Sequence, residues 1–121
     1  MRLDWDCARA ILLALEEKLD TGSAIRPDSL GNWDAETVSW HMLKLQEAGY
    51  IKAACREQRG VPVHCVAFDL TIQGSELLGN LSCKGVWGQL CSEARTKGLA
   101  LTFGVVKTLA EAAVARILKG G

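Results

Sequence analysis

Five cysteines and two histidines are the residues of this chain whose types invite chemistry. A thiolate is a nucleophile, and thiolates and imidazoles together hold zinc. Cys7, Cys55, Cys65, Cys83 and Cys91 are odd in number and widely spaced, and no two form a C-x-x-C pair. That pattern argues against a disulfide framework and a structural zinc site, and it predicts reduced thiols. His64 and Cys65 are neighbours on a strand, so they point to opposite faces and form no nucleophile–base pair. His41 falls on the inward side of a helix, where a histidine serves as a hydrogen-bonded core residue. The chain has no P-loop, no G-x-G-x-x-G and no G-x-S-x-G. The expectation is a protein that is not an enzyme and takes no metal or cofactor.

The residues left for function are those that contact a macromolecule. Thr37, Ser39, Trp40 and Lys44 fall on one predicted helix, and Lys52, Arg56 and Arg59 on the predicted hairpin that follows. Hydroxyls and ammonium groups meet base edges and phosphates, and a basic hairpin touches phosphate or the minor groove. These seven are the candidate DNA-binding residues. Charge speaks against the simplest form of this reading. Lys plus Arg equal Asp plus Glu at 14 each, so the net charge is zero. Residues 1–60 carry 8 basic and 10 acidic side chains, and residues 61–121 carry 6 and 4. The helix itself sets Asp34, Glu36 and Glu47 against Lys44, whereas phosphate contact needs positive charge. Trp40 reads either as an anchor for a protein partner or as packing.

These residues must be positioned by a small number of elements. Trp5, Ala8, Leu12, Leu15 and Leu19 recur at helical spacing after Asp4, a natural N-cap, and predict a helix over 5–19. Residues 20–33 read as a loop, with a short strand at 24–26 and one helical turn at Pro27-Asp28-Ser29-Leu30. Asp34 caps a second helix over 35–48, whose inward face is Val38, His41, Met42 and Leu45, and Gly49 stops it. A strand at 50–55, a polar loop at 56–60 and a strand at 61–68 make a hairpin, with Pro62 suited to an edge. Thr71 opens a third helix to about Leu81, weakened by Gly74 and Gly79. Two more follow, over 86–97 and 103–119. The last carries the stripe Val106, Leu109, Ala113 and Ile117. That stripe serves either to close the core over the first helix or as a homodimer interface, and the dimer is the expectation carried forward.

At 121 residues the chain suits one domain, with a core over 1–82 and C-terminal helices over 84–119. Apolar residues make up 49%, enough to exclude disorder. No apolar run approaches the ~20 residues of a membrane helix. The acidic start is unlike a secretion signal, so the expected setting is cytoplasmic.

The order of elements is that of a winged helix. Glu36-Thr37-Val38-Ser39-Trp40-His41-Met42-Leu43 through Gly49-Tyr50-Ile51 resembles its second helix. Leu70-Thr71-Ile72-Gln73-Gly74 resembles the turn after the wing. The ordered set Leu3-Asp4-Trp5-Asp6, Ser39-Trp40-His41, Leu70-Thr71-x-x-Gly74, Val86-Trp87 and Leu101-Thr102-Phe103 resembles a family of small phage and prophage proteins described only as a domain of unknown function. The resemblance spans nearly the whole chain and implies a winged-helix fold and a phage or prophage origin. It carries over no catalytic or binding residue.

The expected fold class is therefore α+β, a winged helix-turn-helix with a two-helix C-terminal extension. Its helix-turn-helix is shortened, because only 14 residues lie between Leu19 and Asp34. The expected function is DNA binding as a regulator of phage or prophage genes. The alternative is a protein-binding inhibitor of a host system, of the anti-CRISPR kind. Double-stranded DNA or a host protein is the expected partner, with no membrane.

Overall fold

Asp4 and Asp34 do what the sequence asks of them. The computed structural model describes residues 1–59 and 61–120, and the side chains of all these except 61–63. Gly60, expected in the hairpin loop, and the side chain of Pro62 lie outside the described residues. Among the described residues the chain is a mixed α+β protein with five α-helices, one 3-10 turn and a two-stranded antiparallel sheet. It divides into two compact units, residues 1–75 and 76–121.

In the first unit, helix α1 spans Trp5–Glu17. The Asp4 carboxylate accepts the N–H groups of Asp6 at 2.9 Å and Cys7 at 3.4 Å, satisfying donors that a helix start leaves open. Trp5, Cys7, Ala8, Ile11, Leu12 and Leu15 form the buried stripe. The helix stops before Leu19, which was expected on that stripe and is fully exposed instead. The cause is local. Asp20 folds the chain into a turn by accepting from Gly22 N–H at 2.9 Å, Ser23 N–H at 2.7 Å and the Ser23 hydroxyl at 2.9 Å. The Lys18 ammonium donates to the Ser23 and Phe68 carbonyls, which draws the helix end to the hairpin.

The expected short strand reduces to one bridge, in which Ile25 exchanges hydrogen bonds with Ala67 at 2.7 and 3.0 Å. The expected helical turn is a 3-10 turn over Pro27–Ser29. Helix α2 spans Ala35–Glu47, capped by the Asp34 carboxylate on Thr37 N–H at 2.7 Å. Its end is a Schellman motif. Tyr50 N–H donates to the Leu45 carbonyl and Gly49 N–H to that of Gln46, each at 2.9 Å, with Gly49 at φ 87°.

Strands β1, Ile51–Gln58, and β2, Val61–Leu70, pair antiparallel. Both outrun the expected limits, because a hairpin ladder satisfies its own backbone beyond the core. Lys52 lies across from Asp69, Ala53 from Ala67, Cys55 from Cys65 and Arg56 from His64, with register shifts after Lys52 and Arg56. Cys55 and Cys65 form a disulfide, with their Cα atoms 4.1 Å apart. This corrects the expectation of reduced thiols throughout. A wide cysteine spacing excludes a framework of many bridges, but not a single bridge that strand register sets in place.

Helix α3, Ile72–Ser82, begins in the first unit. The Thr71 hydroxyl donates to the Gly49 carbonyl at 2.6 Å and accepts Gly74 N–H at 3.1 Å. Thr71 N–H donates to the Tyr50 carbonyl at 3.0 Å. Gly74 is not merely a weak helix former. A Cβ at this position would stand 1.9 Å from the Tyr50 carbonyl oxygen.

In the second unit, Leu77, Leu78 and Leu81 of α3 are buried. Helix α4, Val86–Lys97, buries Val86, Leu90 and Ala94, and helix α5, Phe103–Gly120, buries Val106, Leu109, Ala110 and Ala113. The two pack together, which buries three of the four expected dimer residues within the chain itself; Ile117 is 47% exposed. Glu93 of α4 accepts from Lys97 at 2.9 Å and from Arg116 of α5 at 3.0 Å.

Three carboxyls are held below their usual range by these contacts. The Ser23 hydroxyl and local N–H groups do this to Asp20, the hydrogen bonds of Thr37 to Asp34, and Lys97 with Arg116 to Glu93. A carboxyl depressed in the folded state binds its proton more readily when unfolded. Its contribution is present above the unfolded pKa of about 4 and is lost as pH falls through the folded value. Denaturant midpoints should therefore stay level from about pH 7 to pH 5 and decline below about pH 4. A midpoint that holds constant down to pH 3 would contradict this.

Candidate nucleic-acid interface

Helix α2 is covered on two sides. It packs on α1 and on both strands. That double cover widens its buried face to Val38, Ser39, His41, Met42 and Leu45. Ser39, expected to face outward as a DNA contact, is fully buried, and its hydroxyl accepts the Cys65 N–H at 3.3 Å. It pins β2 to α2 and presents nothing to a ligand. Helical periodicity gives one inward face and does not show that the helix is covered on two sides.

His41 is fully buried as expected. Its Nε2 accepts the Asp4 N–H at 2.8 Å, and its Nδ1 lies 2.8 Å from the Thr37 carbonyl. The two partners assign the hydrogen to Nδ1. Asp4 also accepts the Trp33 indole N–H at 3.1 Å. One aspartate thus caps α1, holds the loop before α2 and meets a histidine 37 residues away. Burial and the Asp4 charge push the nearby Cys7 thiol up to about 12, so it is not a nucleophile.

On the outer side of α2 stand Glu36, Thr37, Trp40, Leu43, Lys44 and Glu47. Thr37 is half-buried, with its N–H and carbonyl both engaged in the contacts already given. Trp40 is half-buried edge-on against His41, their ring centroids 4.9 Å apart. Lys44 lies 5.5 Å from the centre of the Trp40 ring and 3.4 Å from the Glu47 carboxylate. Its positive charge therefore sits beside a negative one, in an exposed pair worth at most about 1 kcal/mol.

The hairpin exposes Lys52, Arg56, Arg59 and His64. Arg59 takes φ 56°, a left-handed turn conformation. His64 was not singled out as a contact by the sequence, yet strand register places it directly across from Arg56. Register also sets Asp69 across from Lys52. Residues 51–70 therefore hold Lys52, Arg56 and Arg59 against Glu57 and Asp69, a net of +1. The positive charge gathers toward the hairpin tip and does not continue onto α2, where Glu36 and Glu47 face out.

Among the described residues no cluster of three His, Cys, Asp or Glu side chains is placed to hold a metal ion, and no helix is long and apolar enough to cross a membrane.

Five residues of the ordered motifs are engaged in joints of the first unit. Asp4 meets His41, Ser39 meets Cys65, and Thr71 with Gly74 meets the end of α2. These are fastenings of the first unit. A family model described as "Hypothetical protein (DUF2513)" matches residues 2–100, ending before α5 begins. An uncharacterized protein of Haemophilus influenzae is 34% identical over 118 residues, which cover 98% of this chain and 99% of that relative. No solved structure matches. On the extent of both matches, the chain belongs to the DUF2513 family.

Proposed function

We propose that this protein is a winged-helix binding module of phage or prophage origin, without catalytic activity, acting on a protein inside a bacterial cell. The order α1, 3-10 turn, α2, β1, β2 supports the winged-helix reading, with the Ile25–Ala67 bridge as a vestigial third strand. The observation that carries the protein partner is an exposed apolar group in the first unit. Leu19 is 101% exposed, Ile72 77% and Phe68 43%. Leu19 follows Lys18, whose ammonium bonds the Phe68 carbonyl, and Ile72 lies four residues on from Phe68. Contiguous exposed apolar surface marks protein contacts. The face a winged helix lays in the major groove is poorly suited to DNA here. It is acidic, its serine is buried, and a single 3-10 turn stands where a helix would cross the phosphate backbone.

DNA regulation, the function expected from the sequence, is the second reading here, favoured by Arg56, Arg59 and His64 on the hairpin. Anisotropy of labelled random duplex DNA, titrated at about 50 mM and about 200 mM salt, separates the two. No binding up to ~100 μM protein at the lower salt is expected, since non-specific contact would show by then. Binding that falls steeply with salt and is lost in Arg56→Ala/Arg59→Ala would replace the protein reading with the DNA one. Capture from a bacterial lysate should then recover a protein with the native chain and lose it with Leu19→Asp/Ile72→Asp. Equal recovery by both would remove the apolar group as the contact.

A further inference from the structure

Cys55 and Cys65 sit five residues either side of Gly60, directly across the hairpin from one another. The Cys65 N–H is committed to the Ser39 hydroxyl. The pair therefore resembles the non-hydrogen-bonded positions of an antiparallel ladder, where facing side chains approach closest. The two cysteines differ in exposure. Cys65 is 1% exposed, whereas Cys55 is only partly covered. The bond also lies at a boundary in how the hairpin is held. On its core side β2 is fastened twice, by Ser39 to Cys65 and by Ile25 to Ala67. On its tip side the ladder changes register between Arg56 and Glu57. Arg56 and Arg59, two of the three cations of residues 51–70, are beyond it.

We infer that Cys55–Cys65 is a thiol–disulfide exchange site for a small thiol of the glutathione class, and that its state sets the order of the basic hairpin tip. A thiolate of the small thiol attacks Sγ of Cys55, the more exposed cysteine. The Cys55–Cys65 bond breaks, and Cys65 leaves as a thiolate that takes up a proton. A second small-thiol thiolate then attacks the mixed disulfide, releasing Cys55 as its thiolate and the small thiol as its dimeric disulfide. Two electrons pass to the protein, and two small thiols are oxidised. The reverse sequence, driven by the oxidised small thiol, restores the bond. The core-side fastenings hold α1, α2 and the hairpin base in both states, so reduction loosens the tip alone. This inference is independent of which partner the protein binds.

The full chain, incubated in glutathione buffers of graded reduced-to-oxidised ratio, quenched in acid and alkylated, provides the test. Peptide mapping should show one intramolecular disulfide between Cys55 and Cys65 in oxidising buffer and two alkylated cysteines there in reducing buffer, with Cys7 unreacted in the folded protein. Amide exchange at residues 56–59 should quicken about tenfold or more on reduction, while amides of α1, α2 and the hairpin base are unchanged. Cys55→Ser and Cys55→Ala/Cys65→Ala should fold and exchange like the reduced chain in either buffer. Free thiols at both positions in oxidising buffer would overturn the inference. So would tip exchange that ignores redox state, or reduction that exposes α1 and α2 together with the hairpin, since the bond would then be a structural staple.

Discussion

Gly74→Ala is expected to destabilise the first unit by more than about 3 kcal/mol, although the same change inside an ordinary helix is favourable by about 1 kcal/mol. The reversal comes from backbone, not from a side chain that can turn aside. The added Cβ would stand 1.9 Å from the Tyr50 carbonyl oxygen. That oxygen accepts the Thr71 N–H at 3.0 Å. Moving it away breaks this bond and strains the one from the Thr71 hydroxyl to Gly49. The joint between the end of α2 and the start of α3 therefore fails as a unit. Gly79→Ala is the control, because a Cβ there meets nothing within 4 Å. It should gain about 0.5–1 kcal/mol. Thermal unfolding followed by circular dichroism should show a loss of about 12 °C or more for Gly74→Ala and a small rise for Gly79→Ala. A Gly74→Ala protein as stable as the native chain would show that the joint has more room than its geometry allows.

The second large effect belongs to His41. His41→Ala should lose about 3 kcal/mol. Part of that is a cavity among fully buried neighbours, and part is the Asp4 N–H left without its acceptor. His41→Gln, which restores an acceptor on a flexible arm, should recover about 1 kcal/mol of it. Trp33→Phe removes only the indole donor to Asp4 and should cost about 1 kcal/mol. Because both groups meet the same aspartate, the double variant should lose less than the sum of the single ones. Denaturant unfolding curves measure all four. Strict additivity would mean that His41 and Trp33 act separately, and Asp4 would not be the hub its contacts make it.

Much of this fold can be read from residues acting within a few positions of themselves. Asp4, Asp34 and Gly49 mark helix ends through bonds to groups two to five residues away, and so the limits of α1 and α2 lie close to those expected. What the sequence hides depends on distance along the chain. Nothing in the spacing of Asp4, Trp33 and His41 says that they meet, because local periodicity carries no information about tertiary neighbours. Leu19 fits the helical stripe but is lost to it, since the Asp20 turn competes for the same backbone. Ser39 is misread because a second packing partner widens the buried face of α2. The disulfide had a signal that could have been used, the equal spacing of Cys55 and Cys65 about Gly60. Pairing it correctly also required the strand register, which the later shift at Arg56 makes uncertain from sequence. Of the candidate contact residues, those on the hairpin are exposed, as their polarity suggests, while those on α2 are divided between the inside and an acidic outside.

The convergence of the signature residues on structural joints has a consequence for comparing relatives. Asp4, Ser39, His41, Thr71 and Gly74 are all consumed in holding the first unit together. The outward positions of α2, the hairpin tip and the Leu19–Phe68–Ile72 group share none of them. A change at an exposed position away from these five residues therefore need not disturb the joints that hold the unit together. A shared set of joint residues is thus a guide to how such a chain folds and says nothing of what its exterior meets.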